Sequence, residues 1–176
     1  MKGVLLVGNG PSCLNKEYGD LIDSYQTVVR FNDFVINGYE KYVGSKTDVW
    51  VKTKKSNKYN KNDFKHKYYV HPRVLKSTDD DLQKLKERGY EIIPLHFHDT
   101  IDKLIKGNLW ATTGLVMVYH FIHKGLEVTI HGFDFFENGV HYYEDRSKMV
   151  GHRPDIEKDI ITDLIKNKKI KLLTHE

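Results

Sequence analysis

The stretch VLLVGNGPS, residues 4–12, decides the fold class. Its first four residues form a continuous apolar run, which is typical of a strand buried on both faces of a sheet. Gly8, Gly10 and Pro11 then end the strand in a tight turn. Backbone N–H groups of a glycine turn can approach a phosphate closely, although a plain tight turn has the same pattern. The stretch therefore predicts the first strand and turn of an α/β domain.

The rest of the chain alternates between strand and helix patterns. This alternation predicts a Rossmann-like α/β fold, with a mostly parallel sheet, helices on both faces and ligands at the carboxyl ends of the strands. With 176 residues, we expect a single domain over residues 1–176. Further strands are predicted over residues 26–31, 48–51, 68–70, 91–95, 127–133 and 169–173, and helices over residues 13–22, 79–89, 115–123 and 155–166.

Composition and charge exclude several classes of protein. The 28 Lys and Arg residues against 24 Asp and Glu give a net charge of +4, which suits a small anionic substrate without indicating a nucleic acid partner. Cys13 is the only cysteine, so no intrachain disulfide forms and no oxidising compartment is needed. No apolar run approaches the roughly 20 residues of a membrane span, and no signal peptide is recognised. Membrane association would come through a partner or a surface patch.

Two asparagines and a threonine turn are candidate binding residues. Asn32 follows the second strand and is expected at the same sheet edge as Asn9. Their amides can bind sugar hydroxyls, a phosphate or a base edge, whereas an asparagine also opens ordinary turns. Thr112, Thr113 and Gly114 precede a helix, whose free N–H groups can bind an anion while Thr112 caps them.

Histidines in the last third of the chain are candidates for acid/base chemistry. His141 lies in a polar loop beside Tyr142, and His152 precedes Glu157 at the start of the last helix. Histidine titrates near neutrality, so these side chains suit proton transfer or neutralisation of a phosphate. Solvated loop histidines have the same pattern.

Other chemistry-bearing patterns have simpler interpretations. The HFHD run at residues 96–99 could hold a metal by alternation on a strand but is interpreted as a solvated strand end. The acidic run at residues 79–81 is interpreted as a helix start with favourable dipole charge. Cys13 has no histidine nearby in sequence, which argues against a nucleophilic role. No metal site is predicted.

Taken together, four patterns in chain order resemble the motifs of the sialyltransferase family. The long motif resembles VGNGPS at 7–12 with VRFN at 29–32 and VGSKT at 43–47, and the short motif resembles TTGL at 112–115 through VTIHGF at 128–133. HYYE at 141–144 matches the third motif, and His152 with Glu157 matches the very short motif. Four motifs in the right order are specific.

The resemblance implies a variant nucleotide-sugar glycosyltransferase fold and a metal-independent, inverting transfer without a cofactor. The donor is CMP-sialic acid or a related CMP-sugar, and the acceptor is a hydroxyl of a glycan or glycolipid. His152 is implied as the general base, His141 as the group that stabilises departing CMP, and Tyr142 and Glu157 as supporting residues. The implied donor-binding residues are Gly8, Asn9, Gly10, Ser12, Asn32, Thr112, Thr113, Gly114 and Phe133.

The chain also departs from animal members of this family. It lacks their disulfide cysteines, Golgi anchor and stem, so we expect a cytoplasmic bacterial or viral enzyme. Alternatives are a CMP-Kdo-type transferase and a CMP-binding module without transfer activity. A Rossmann-like methyltransferase would use the glycine turn for its cofactor but leaves His141 and His152 unexplained.

Overall fold

The computed structural model describes residues 3–53, 63–70, 78–105, 110–135, 141–144 and 152–174. Within these ranges the strands form one sheet, in the order β5-β4-β3-β2-β1-β6-β7, and every neighbouring pair is parallel. The predicted Rossmann-like α/β fold is confirmed. The strands are β1 Val4–Val7, β2 Thr27–Phe31, β3 Val49–Lys52, β4 His66–Val70, β5 Tyr90–Ile93, β6 Val128–His131 and β7 Ile170–Leu172.

Helices cover both faces of the sheet because strand residues are apolar on both sides. The described helices are a 3-10 helix at Pro11–Leu14, α1 Gly19–Asp23, α2 Glu40–Val43, α3 Asp79–Glu87, α4 Leu95–Asp102, α5 Thr113–His123 and α6 Pro154–Lys166. Leu6 of β1 belongs to the core under α4, α5 and α6, whereas its neighbour Leu5 packs with the 3-10 helix, α1 and α2. Trp50 of β3 extends this second face toward α3.

The strand order places a topological switch point at β1. Strands β2 to β5 follow one another on one side of β1, and β6 and β7 lie on the other side. Open α/β sheets bind ligands outside the carboxyl ends of the strands at such a point. The loops after β1, β2 and β6 therefore mark the expected site.

Two local predictions were wrong. The helix predicted over residues 13–22 is two short helices, the 3-10 helix and α1, because residues 15–18 between them are not helical. The HFHD run is not extended. Pro94 ends β5 and serves as the N-cap of α4, which contains all four residues. His98 is buried and His96 is exposed on that helix, so the run does not alternate across a strand.

The start of α3 agrees with the prediction from the sequence. Thr78 caps α3 through a capping box with Asp81, and three aspartates occupy the first turn of the helix. The interpretation of the acidic run as a helix start is thus confirmed. None of the described helices is long and apolar enough to cross a membrane. The polar composition of residues 54–67 predicts an exposed connection, of which residues 54–62 lie outside the described part of the chain. The end of this stretch differs from the prediction, because β4 already begins at His66.

Candidate active site

A cavity of about 180 Å³ opens at the switch point, between the loops after β1, β2 and β6 and the start of α5. Eleven of the thirteen predicted site residues line it, whereas Ser12 and Tyr142 do not. The predicted residues that line the cavity are Gly8, Asn9, Gly10, Asn32, Thr112, Thr113, Gly114, Phe133, His141, His152 and Glu157.

The glycine turn packs against the loop that follows β6. Gly8 N–H donates to the carbonyl of His131 at 2.7 Å, and Gly10 N–H donates to that of Gly132 at 3.0 Å. A Cβ atom on Gly8 would lie 2.3 Å from the Gly132 carbonyl oxygen. The sequence suggested that N–H groups of this turn could bind a phosphate. In the structure, the N–H groups of Gly8 and Gly10 are instead used in these two hydrogen bonds. The glycines instead let the two loops approach closely enough to form the cavity floor.

Asn9 and Asn32 present opposite hydrogen-bonding atoms at the cavity. Asn9 Nδ2 donates to the Phe31 carbonyl at 3.1 Å, which fixes the amide and leaves the buried Oδ1 without a partner among the described residues. Asn32 Oδ1 accepts from Thr53 N–H at 3.1 Å, which leaves Nδ2 as its side-chain donor. Asn32 adopts a φ of 51°, a left-handed conformation that asparagine tolerates better than most residues. A bound ligand therefore meets one acceptor and one donor here.

The start of α5 forms another wall of the cavity. Thr112 is its N-cap and accepts from Leu115 N–H at 3.2 Å. Thr113 and Gly114 are the first two helical residues, so their N–H groups have no acceptor within the helix. Together with the positive end of the helix dipole, these groups form a favourable place for an anion.

Glu157 of α6 holds the cap residue in place. Its carboxylate accepts the N–H of Thr112 at 2.7 Å and the Thr112 hydroxyl at 2.6 Å. The carboxyl group is buried, and this burial raises its pKa to about 7, with the charge of Asp102 adding to the shift and the bonds from Thr112 opposing it. Glu157 thus contacts the cap of α5 directly, and the supporting role that the family resemblance implied for it stays a prediction.

His152 has a defined ring orientation. Its Nδ1 lies 2.9 Å from the carbonyl oxygen of Trp110. Since a carbonyl only accepts, Nδ1 must carry the proton, and in the neutral ring the lone pair is then on Nε2. The sequence identified His152 but gave no indication of this contact.

The loop that carries His141 is anchored by Tyr142. Tyr142 N–H donates to the Asn9 carbonyl at 2.9 Å, and its hydroxyl donates to the carbonyl of Val35. His141 Nδ1 lies 3.2 Å from Glu144 Oε2. Tyr142 therefore fixes His141 and Glu144 over the turn after β1. The neighbouring residues 136–140 and 145–151 are outside the described part of the chain.

Ser12 and Asp134 form a contact that the sequence did not predict. Asp134 accepts the N–H of Ser12 at 2.6 Å and its hydroxyl as well. Asp134 lines the cavity, whereas Ser12 does not. Ser12 thus supports the loop after β6, and its predicted contact with the donor stays a prediction. No pattern links two residues this far apart, so Asp134 could be found only from the fold.

Phe133 forms the apolar side of the cavity. Its ring meets that of Phe31 edge-on, with centroids 6.1 Å apart. A Cβ atom on Gly114 would lie 2.8 Å from the Phe133 ring, so glycine permits the helix to approach this aromatic side chain. The site therefore combines one aromatic surface with several polar groups, as small-molecule sites generally do.

The remaining candidate groups are the thiol of Cys13 and side chains that could bind a metal ion. Burial raises the pKa of the Cys13 thiol to about 12, and the charge of Asp134 contributes to this shift. Cys13 is therefore a poor nucleophile near neutral pH. Within the described ranges, His, Cys, Asp and Glu side chains form no group of three or more placed to hold a metal ion.

Comparison with known proteins connects this site to one family. The model of glycosyltransferase family 29 (sialyltransferase) matches residues 4–87 and 52–169. A mouse protein named CMP-N-acetylneuraminate-beta-1,4-galactoside alpha-2,3-sialyltransferase is 26% identical over 211 residues, covering 94% of this chain and 56% of the relative. The human protein of the same name matches to the same extent. The chain thus spans little more than half the length of these relatives.

A shorter match and the solved structures complete the comparison. A stretch of 44 residues, 25% of this chain and 11% of the relative, is 48% identical to Beta-1,6-galactosyltransferase GALT29A of Arabidopsis thaliana. The crystal structure of a mammalian sialyltransferase matches with a TM-score of 0.75 and 23% identity, covering 98% of this chain and 69% of that one. This likeness confirms the fold. The curated relatives are mammalian and plant proteins, so they do not support the expectation of a bacterial or viral enzyme, which stays a prediction.

Proposed function

Because the chain belongs to glycosyltransferase family 29, the sialyltransferases, we propose that it transfers sialic acid, or a related sugar acid, from a CMP-sugar donor to a hydroxyl of a glycan or glycolipid acceptor. The observation that carries the proposal is that one cavity brings together His141, His152 and the open end of α5. The hydroxyl nucleophile needs a base, which His152 can supply. The charged leaving group needs positive charge and N–H donors, which His141 and the start of α5 can supply.

The donor nucleotide is proposed to occupy the floor and helix side of the cavity. Asn9 Oδ1 needs a hydrogen-bond donor, which the ribose hydroxyls and the cytosine amino group supply, and Asn32 Nδ2 needs an acceptor. The phosphate of CMP would lie against the N–H groups of Thr113 and Gly114. The ring of Phe133 offers an aromatic surface to the base.

His152 is the proposed general base. With Nδ1–H directed at the Trp110 carbonyl, Nε2 can accept the proton of the acceptor hydroxyl as its oxygen attacks the anomeric carbon. The bond from that carbon to the phosphate oxygen of CMP breaks, and CMP leaves with the electron pair. A single displacement of this kind inverts the configuration at the anomeric carbon.

His141 and α5 would stabilise the departing CMP. A protonated His141, with Nδ1 3.2 Å from Glu144 Oε2, would offset the negative charge that develops on the phosphate. The helix N-terminus adds preorganised N–H donors. Since these groups supply positive charge by themselves, we propose a reaction that needs no divalent cation.

The test is a transfer assay in the presence of EDTA. Purified chain is incubated with CMP-N-acetylneuraminate or CMP-Kdo and a galactose-terminated acceptor, and released CMP and glycoside are both quantified. We expect transfer by the wild type and a loss of about 10²- to 10⁴-fold in kcat for His152→Ala. His123→Ala, at an exposed position on the far end of α5, is the matched control and should retain activity.

The same assay separates the alternatives. Turnover of CMP-Kdo alone would make the chain a Kdo transferase, and CMP binding without turnover of either donor would make it a binding module. Because a family relative is named as a galactosyltransferase, family membership does not by itself fix the transferred sugar. Turnover that requires added Mg²⁺ would contradict the metal-independent mechanism.

A further inference from the structure

The peptide group between Trp110 and Ala111 is hydrogen-bonded on both sides. Its carbonyl oxygen accepts from Nδ1 of His152 at 2.9 Å. Its N–H donates to Oδ1 of Asp102 at 2.9 Å. One planar amide therefore lies between a carboxylate and an imidazole.

Hydrogen bonds in such a chain strengthen one another. The carboxylate of Asp102 accepts a hydrogen bond from the N–H of Ala111 and so polarises the peptide group. This polarisation increases the partial negative charge on the Trp110 oxygen of the same amide. A more negative carbonyl oxygen holds the Nδ1–H of His152 more firmly. This arrangement resembles the carboxylate–imidazole pair of hydrolases, in which a buried acid orients the base. Here, a peptide group separates the two side chains.

The segment that contains this peptide is fixed at successive residues. Trp110 is held by His152, Ala111 by Asp102, and Thr112 by Glu157. Asp102 closes α4, so the position of its carboxylate is set by a helix that packs against α5 through Ile101. The negative charge of Asp102 also contributes to the raised pKa of Glu157, which places it near the same segment.

We propose that Asp102 is a positioning residue that acts through the Trp110–Ala111 peptide to hold His152 in the Nδ1–H form. The effect of Asp102 on catalysis rests on the proposed function. Its effect on the His152 ring does not, because the orientation of the ring is a property of the free protein. Asp102 does not line the cavity, so its proposed effect on His152 is indirect.

The ring tautomer is the direct test. Nitrogen-15 NMR of the histidine side chains distinguishes Nδ1–H from Nε2–H rings, and the signal of His152 is assigned by its absence in His152→Ala. We expect the Nδ1–H tautomer in the wild type and a shift toward Nε2–H in Asp102→Ala. Asp102→Asn keeps an oxygen acceptor for Ala111 N–H without the charge, so its shift should be smaller.

The kinetic test is a split between kcat and KM. We expect Asp102→Ala to lower kcat about tenfold, which corresponds to one modest hydrogen bond at the transition state. The KM for the CMP-sugar and the Kd for CMP should stay within about twofold. Asp99→Asn, on the exposed side of α4, is the matched control and should change neither the tautomer nor kcat.

Each outcome decides one of the two proposals. An Nε2–H ring in the wild type, or an unchanged tautomer in Asp102→Ala, overturns the positioning role even if the variant loses activity through instability. If Asp102→Ala does not fold, Asp102→Asn carries the test, and a wild-type tautomer ratio in that variant overturns the positioning role. A chain that transfers no sugar but shows the tautomer shift refutes the proposed function and supports the role of Asp102.

Discussion

Glu157 accepts two hydrogen bonds from Thr112, one from the backbone N–H at 2.7 Å and one from the hydroxyl at 2.6 Å. The contact joins α6 to the N-cap of α5 and so ties the last helix to the wall of the cavity. The carboxyl group is buried, and burial raises its pKa from 4.5 to about 7. Both the geometry and the stability of the site therefore depend on one acidic side chain.

The raised pKa of Glu157 predicts that this residue makes the fold less stable as pH rises from 4.5 to 7. In that window the unfolded chain has released the proton and the folded chain retains it, so stability falls by up to about 1.4 kcal/mol per pH unit. In Glu157→Gln this contribution is absent. Urea denaturation between pH 4.5 and 7.5 should show the wild type losing about 3 kcal/mol relative to Glu157→Gln. A constant difference across this range would contradict the burial of an ionisable carboxyl group.

The contact between the two loops can be tested at Gly132. It has a φ of +70°, and a Cβ atom there would lie 2.2 Å from Cys13 Sγ. Gly125 has a similar φ of +73° but no atom within 4 Å. We expect Gly125→Ala to cost about 1 kcal/mol for its backbone conformation and Gly132→Ala a further 1–3 kcal/mol for overpacking.

A double mutant isolates the steric part of this effect. Cys13→Ala removes the sulfur atom that would clash, so the combination with Gly132→Ala should cost less than the two single changes added together. Thermal denaturation of the four proteins measures the coupling. Additive losses would mean that the sulfur is not what excludes a side chain at Gly132.

Ser12 is expected to act on stability rather than on the nucleotide. Both its N–H and its hydroxyl go to Asp134, so Ser12→Ala should lower the free energy of unfolding by about 1.5–3 kcal/mol, the range for a hydrogen bond to a charged group. The Kd for CMP should change less than threefold, because Ser12 does not line the cavity. A large loss of CMP affinity in a stably folded Ser12→Ala protein would restore the donor contact that the sequence suggested.

The sequence was a good guide where local chemistry sets the structure. Apolar runs predicted the seven strands found among the described residues, and Thr112 before an apolar run indicated the start of α5. It misled at Pro94, where a strand end and a helix start have the same pattern and only packing against α5 decides between them. The HFHD residues became part of α4 for that reason.

Contacts between residues far apart in the chain could not be predicted from the sequence. Histidine and glutamate patterns identified His152 and Glu157, but not that one is held by the Trp110 carbonyl and the other by Thr112. Asp134 and Asp102 gave no local signal, because each acts on a residue brought near only by the sheet or by helix packing. Gly8 and Gly10 line the cavity, and their N–H groups form hydrogen bonds with His131 and Gly132 that no local pattern indicated.

The proposed function requires a CMP site at the switch point, and calorimetric titration with CMP, UMP and GMP in EDTA measures whether such a site exists. Asn32→Asp keeps the acceptor for Thr53 N–H and replaces the Nδ2 donor with an anionic oxygen, while Asn37→Asp adds the same charge at an exposed position outside the cavity. We predict that the wild type and Asn37→Asp bind CMP in preference to UMP and GMP, and that Asn32→Asp loses at least about tenfold in affinity, as expected for one lost hydrogen bond to a ligand. Equal binding of all three nucleotides, or unchanged CMP affinity in Asn32→Asp, would rule out a CMP site in this cavity.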